Sequence, residues 1–494
     1  IRSNLLRTYS QIDDVKRSIL TSQTIFVLAW LHALLQERRT FIPQAWTKFY
    51  EFSSADVRVS RILVEGLIKD SKADWEYVRG LLQFVVYGGR IENVFDSQVL
   101  ESYLVTLFES NKITGRGGQM LARANFESID VQRFIEQSIP SEDDPSFFGL
   151  PMNIRFSWQL TEAEETVNRM RMAGNTTSVN NRSQWADACN PVLQLWKRLC
   201  QGGDLHSRQL PAVKEADDPL LEMMSLEYVH AVKLVQKIHA ILTLVSKAIR
   251  GTITPDRSTI DVIKSLLLHQ TPDVWQDLWS GPRDPAEYLT TIIYKVRKTL
   301  KCCEKSKILT PEVVEREERD SLIEIIINFK KLAKSVHELA TQPDQHDIRR
   351  KPVDFSKLFR PGRLLNALRQ VTARTSGCTM DELSLSSAWD SSLLAGSISI
   401  RVEVGTTSKG ILLQGALFDG QLRDTATSSP PVSNAPQLTL GWMKIGTPSP
   451  YKNSECVAVP MYTDSTRSEL IATISMPCTG IHKWNIAAVA LFLK

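Results

Sequence analysis

At 494 residues, with 43% hydrophobic and 23% charged residues, this polypeptide is long enough to bury more than one core and divides into about three domains. That excludes a disordered protein, a collagen and a small disulfide scaffold. Lys+Arg 59 against Asp+Glu 55 leaves a net charge of +4, too even a balance for electrostatics to mark a nucleic-acid or membrane-surface protein.

The seven cysteines are scattered and odd in number, so they read as free thiols of a reducing compartment. The first residue is Ile1 and no signal-peptide pattern follows it, which reads as a piece of a longer polypeptide. The most apolar window, Thr24 to Leu35, is shorter than the roughly 20 residues that span a bilayer. A buried helix is expected there, and no membrane span.

Apolar residues at helical spacing predict helices over Ser22–Arg39, Asp56–Lys69, Trp75–Val86 and Val94–Glu109. Ser138 to Gly149, with two prolines and an acidic run, reads as a linker and a domain boundary. Helices follow at Leu160–Met172, Pro219–Arg250, Pro285–Leu300, Glu312–Leu339 and Arg363–Thr375, with polar loops at 175–182 and 341–351. In Pro219–Arg250 one apolar seam runs from Leu221 through Met224, Tyr228, Ala231, Val235, Ile238, Leu242 and Val245 to Ile249. Its expected partner is the protein's own helical bundle, and the alternative is a coiled-coil dimer stripe.

Near Ser376 the composition shifts, with about 14% charged residues after it against about 26% before it. Ile398, Ile400, Val402 and Val404 alternate with polar residues as in a strand. A hairpin loop at 405–410 should lead into Ile411–Leu417, with further strands at Cys456–Tyr462, Leu470–Met476 and Asn485–Leu493 and a mobile loop from Thr425 to Pro436. The expected fold is thus mainly α-helical with a C-terminal antiparallel β-barrel-like domain, an α+β protein divided at 1–139, 140–375 and 376–494.

Motifs for chemistry are absent from the sequence. No G-x-x-x-x-G-K-[ST], G-x-S-x-G, H-x-x-x-H or H-E-x-x-H occurs. The cluster Gly115-Arg116-Gly117-Gly118 lacks the Lys of a phosphate loop, and adjacent Cys302-Cys303 cannot present C-x-x-C geometry to zinc. His32 and His239 read as packed side chains, Glu164-Glu165 as a solvated face and Arg349-Arg350-Lys351 as surface. No catalytic, cofactor-binding or metal-ligating residue is expected. A thiol hydrolase using Cys303, or a helical scaffold carrying a β interaction domain, stays open on the residues alone.

Gln36 to Arg58 resembles a segment of dynein heavy chains, in which Gln-Glu-Arg-Arg is followed at this spacing by the equivalents of Phe41, Pro43, Trp46, Tyr50, Phe52, Asp56 and Arg58. Ala45 stands where that family usually has Gly. Tyr87-Gly88-Gly89-Arg90-Ile91 with Asp96, Phe148 to Ile154, Leu364 to Gln370, Gly415 to Gly420, Val459 to Arg467 and Ala490 to Lys494 are similar to further segments of the family. The likeness is weak from about 174 to 350, and Phe359 to Arg363 departs from the usual apolar run.

The resemblance implies that 1–139 is the late part of a sixth AAA+ module, mostly its helical small subdomain, and that 140–494 is the C-terminal domain across one face of a motor ring. ATP and magnesium would belong to upstream modules, and microtubule binding to an upstream stalk. An upstream tail would carry heavy-chain dimerisation, intermediate and light-intermediate chains and intraflagellar-transport particles. Gly441-Trp442, Pro460, Tyr462-Thr463, Pro477-Cys478 and Trp484 resemble the class serving retrograde intraflagellar transport, in the cytoplasm, cytoskeleton and cilium, with an axonemal heavy chain as the alternative. Trp46, Tyr50 and Phe52 are expected as buried anchors and Asp56 as a helix cap. For Arg38 and Arg39 the expectation is salt bridges on a helix surface, and the sharper alternative is a trans-acting arginine finger.

Overall fold

The computed structural model describes residues 1–10, 19–68, 73–109, 113, 131–139, 145–151, 154–175, 182–201, 219–305, 355–389, 401–404, 411–425, 432–436, 438–447, 451 and 455–493. Expectations for Gly115–Gly118, Glu312–Leu339 and Arg349–Lys351 lie outside these residues.

The first core is helical: α1 (Arg2–Ser10), α2 (Ile19–Glu37), α3 (Ser54–Leu67), α4 (Trp75–Leu81), α5 (Val94–Leu107) and α6 (Val131–Ser138). The apolar run expected as a buried helix is the middle of α2, where Ile25 to Ala29, Leu31 and Ala33 to Leu35 are all buried. Helix α3 starts in a capping box, with Asp56 at its third position accepting from the Ser53 backbone at 2.7 Å. Asp74 and Asn93 cap α4 and α5 by accepting from backbone N–H groups in the first turn.

Between α4 and α5 the helix widens into a π-helical segment, Leu82–Tyr87. The extra residue per turn rotates the faces, so that Leu82, Val86 and Tyr87 are buried while Phe84 and Val85 point to solvent. This geometry sets the residue that must follow. A Cβ on Gly88 would stand 1.7 Å from the Gln83 carbonyl oxygen, whereas one on Gly89 would meet nothing within 4 Å. Gly88→Ala should therefore cost about 2–4 kcal/mol by breaking the π turn, and Gly89→Ala should be near neutral, as read by urea melts of the two variants.

The second core winds α8 (Arg182–Cys200), α9 (Pro219–Ile249), α10 (Arg257–Leu267), α11 (Asp273–Gln276), α12 (Pro285–Lys305) and α13 (Pro361–Ser376) around the central α9. Helix α7 (Ile154–Asn175) starts from the first core, where Ile154 is buried and Trp158 packs. The α9 seam from Met224 to Val245 is buried against α8, α12 and α13, so its partner is the protein's own bundle. Helix α13 begins with Pro361 in its first turn and ends at Gly377 with φ +61°.

The strands are β1 (Leu383–Ala388), β2 (Arg401–Val404), β3 (Ile411–Gln414), β4 (Leu417–Phe418), β5 (Leu422–Arg423), β6 (Val432–Ala435), β7 (Leu438–Lys444), β8 (Glu455–Tyr462), β9 (Leu470–Cys478) and β10 (Ala490–Leu493). They form a three-stranded sheet β1-β7-β2, a five-stranded sheet β6-β3-β10-β8-β9 and the small pair β4-β5. All pairs are antiparallel except β10 with β8, which is parallel. Helix α13 packs on β7 and β9, and strand and helix residues share one apolar cluster from Trp185 to Leu491.

Several expectations are corrected. Strands β2 and β3 are not a hairpin: β2 pairs with β7 and β3 with β6 and β10, in separate sheets. Part of the expected loop Thr425–Pro436 is strand β6, held because its backbone completes the β3 edge. Only Ala490–Leu493 of the expected strand Asn485–Leu493 is extended, since 481–486 form the short helix α14 (Ile481–Ile486). Within the expected linker Ser138–Gly149, Phe148 is fully buried in the first core.

Candidate functional site

Of the segments that carry the resemblance, Gln36–Arg58, Phe148–Ile154, Gly415–Gly420 and Val459–Arg467 each bring residues to the junction of the two cores, and Arg38 is at its centre. Helix α2 tightens at its end into a 3₁₀ turn, Arg38–Phe41, which turns the Arg38 side chain inward until it is 0% exposed. Its Nε donates to the Ala45 carbonyl at 2.8 Å. Nη1 donates to the Tyr103 hydroxyl at 2.5 Å and to the Phe148 carbonyl at 3.1 Å. Nη2 donates to the Ile486 carbonyl at 2.7 Å, 448 positions further along the sequence. The guanidinium lies against the rings of Trp46 and Tyr103, 5.4 and 5.3 Å from their centroids.

The expectation of a helix-surface salt bridge is thus wrong for Arg38, which is fully buried and donates to carbonyls and a phenol. The planar fork of Arg38 gathers three backbone carbonyls and one phenol, which a buried cation needs to replace its water. Arg39 donates to the Gln36 carbonyl at 2.7 Å and packs over Phe49 at 5.0 Å.

Asp96, at the start of α5, is also buried and accepts from the Thr47 backbone at 3.1 Å, the Thr47 hydroxyl at 2.5 Å and the Tyr50 hydroxyl at 2.8 Å. Burial raises its pKa, opposed by those hydrogen bonds and by Arg38. Burial chiefly, with the Asp96 charge, pushes the Tyr50 phenol upward, so that it stays a donor. From the β side comes Arg467, in the turn after β8 at φ +57°. It donates to Gln414 Oε1 at 3.0 Å and to the Ala488 carbonyl at 2.9 Å. Burial draws its pKa down to about 10, with Tyr462, Asp96 and Arg38 within electrostatic reach.

Close backbone contacts complete the junction. Gly149, at φ +66°, leaves only 2.5 Å between an added Cβ and Ile486 Cγ2, and Gly415, at φ +88°, lies against Ala487, Val489 and Pro151. On α5, Ser102 Oγ meets His482 Nδ1 at 3.2 Å and Asn485 Nδ2 at 3.1 Å. The other expected anchors fall into the first core. Trp46, Tyr50 and Phe52 stack edge-on or tilted with one another, and Arg90 pairs with Asp56 at 2.9 Å. Arg58 is exposed on α3 and Ala45 is buried.

His32 is buried and shares a 3.2 Å hydrogen bond with Tyr87. Burial lowers its pKa from 6.5 to about 4. The unfolded protein takes up a proton at the higher value, so folding stability is whole above pH 6.5 and falls as pH drops toward 4, by up to about 3 kcal/mol. A pH series of urea melts should show this slope; His230, whose pKa burial likewise lowers to about 4, adds to it over the same window, so His32→Gln should remove part of the slope and leave the His230 share.

Sequence reasoning missed a second buried polar set. Phe359 donates its backbone N–H to Glu227 Oε2 at 3.0 Å, and Lys295 Nζ donates to the Leu358 carbonyl at 2.9 Å while lying 4.7 Å from the Trp279 ring centroid. These contacts are how Phe359 to Arg363, the segment that departs from the usual pattern, joins α9 and α12. A charged residue inside an apolar seam, Glu227 beside Tyr228, was the available signal. Among the described residues no group of three or more His, Cys, Asp or Glu side chains is placed to hold a metal ion.

A family model described as the AAA lid domain of the dynein heavy chain matches residues 21–154, and one described as the C-terminal domain of the dynein heavy chain matches 160–493. The chain belongs to the dynein heavy chain family. It is 43% identical over 499 residues to cytoplasmic dynein 2 heavy chain 1 of Caenorhabditis elegans, and 33% identical over 523 residues to the Homo sapiens protein so named. All of this chain but only 11% of each relative is covered. To the cytoplasmic dynein heavy chain of Dictyostelium discoideum it is 27% identical over 533 residues, 99% of this chain and 10% of that one. The chain thus spans about a tenth of the length of the curated relatives it matches. In family terms, Arg38, Asp96 and Ser102 come from the part matched as AAA lid, and Ile486, Arg467 and His482 from the part matched as C-terminal domain.

Proposed function

We propose that this chain is the C-terminal segment of a minus-end-directed microtubule motor of the cytoplasmic dynein 2 kind, closing a AAA+ ring and regulating its motility in retrograde intraflagellar transport. The observation that carries this is the 43% identity along the whole chain to a protein named cytoplasmic dynein 2 heavy chain 1, against 27% to a cytoplasmic dynein heavy chain. On this reading residues 1–139 are the end of the sixth module, and 140–375 and 376–494 are the helical and β parts of the C-terminal domain. The protein works in the cytoplasm, on the cytoskeleton and in cilia.

On this reading ATP and magnesium belong to other modules of the parent heavy chain, as the likeness to the family implies. Microtubules are met through the stalk. The tail dimerises heavy chains and binds intermediate chains, light-intermediate chains and intraflagellar-transport particles. This segment acts on turnover only through contacts that differ between ring conformations, and the Arg38 junction makes lid and C-terminal domain move as one body. Removing residues 160–494 from the intact heavy chain should change velocity, force or processivity while the upstream sites still bind ATP. Loss of nucleotide binding in a still-folded ring would contradict the regulatory role, and purification of the parent as a fixed axonemal arm component would contradict the lineage.

A further inference from the structure

The lid carries a groove apart from the Arg38 junction. It lies between α4, the π turn and α5, with a volume of about 850 Å³, and is lined by Glu76, Gly80, Phe84, Glu92, Val94 and Glu101 among others. Phe84 and Val94 are 74% and 69% exposed, unusual for side chains whose burial is worth about 1.5–3 kcal/mol each. The π turn is what aims Phe84 there, and such turns recur at functional sites. The rim is acidic: Glu76, Glu92 and Glu101 are exposed, with Glu92 paired to Lys48 at 2.9 Å on the outer edge. The lining cation, Arg79, reaches away to the Phe108 carbonyl at 3.2 Å.

We infer that this groove is a docking site for a basic amphipathic helix of a separate protein. Apolar side chains at i, i+3 and i+4 of such a helix would cover Phe84 and Val94, and flanking Lys or Arg would face the Glu76 and Glu101 carboxylates. Gly80 sits in the wall with nothing within 4 Å of an added Cβ, so its missing side chain leaves room for an incoming one.

The test uses the 494-residue protein and a labelled Leu/Lys amphipathic peptide of about 16 residues, long enough for four helical turns, read by fluorescence anisotropy, with a Leu/Glu peptide of the same pattern as control. The Leu/Lys peptide should bind and weaken at least about tenfold between low and high salt, and the Leu/Glu peptide should not bind. The pair Glu76→Lys and Glu101→Lys, and separately Gly80→Leu, should each weaken binding about tenfold or more in proteins that still fold, the melting temperature falling slightly in the first, which puts a cation in the first turn of α4, and rising slightly in the second, which removes a glycine from that helix. Exposed Glu162→Lys on α7 should leave binding unchanged. Equal binding of both peptides, or full binding by the groove variants, overturns the inference. So does concentration-dependent self-association abolished by Gly80→Leu, since the occupant would then be a second copy.

Discussion

Arg38→Ala is expected to destabilise the protein by about 3–5 kcal/mol, measured by urea unfolding, because it takes the guanidinium donor from the buried Ala45 and Ile486 carbonyls and leaves the Phe148 carbonyl with the Tyr103 hydroxyl. The cavity left between Trp46 and Tyr103 adds to that cost. Arg38→Lys should recover little, since one ammonium on a flexible stem cannot reach acceptors on three sides of a planar fork. If Arg38→Lys were as stable as the parent, charge alone would explain the site and the fork geometry would be irrelevant.

Ending the polypeptide at Ala488 is the other change with a large expected effect. It removes β10, the middle strand of its sheet, and with it the buried Leu491 and Phe492. Burial of those two side chains alone is worth about 3–6 kcal/mol. Strands β3 and β8, which pair with β10 on either side, would become open edges, a template for aggregation. The truncated protein should accumulate as insoluble material or lose most of its β-sheet signal in circular dichroism, whereas Lys494→Ala, beyond the last strand, should do neither. A soluble truncation with an unchanged spectrum would show that β10 is dispensable.

What could be read from the sequence and what could not divides along the range of the contacts. The α9 seam and the Trp46, Tyr50 and Phe52 anchors are local patterns, set by helical spacing and by residue size, and they fell where expected. Asp56 likewise caps its own helix through the nearby Ser53. Helix α8 escaped notice because Pro191 sits inside it, although a proline removes one donor and bends a helix without always ending it. The β2–β3 error came from adjacency in sequence, while the actual partner β7 lies well beyond β3 in the sequence and is selected by packing. Arg38 was the largest miss. Two arginines at a helix end read as solvent-facing by composition, and nothing near them announces an acceptor at Ile486. The matching motifs at both ends of the sequence were the only trace of the junction, and their glycines acquired a reason only with the contacts of Gly149 and Gly415.

Lid and C-terminal domain are fastened into one body through Arg38, Ser102 and the α14 segment. The decisive experiment is native-state hydrogen exchange of the whole 494-residue protein, followed on peptides from 94–107 and 481–493 across a urea series. Both peptides should open with the same free energy and the same urea dependence, and Arg38→Ala should separate them. Independent opening of the two peptides in the unmodified protein would contradict a single fastened body.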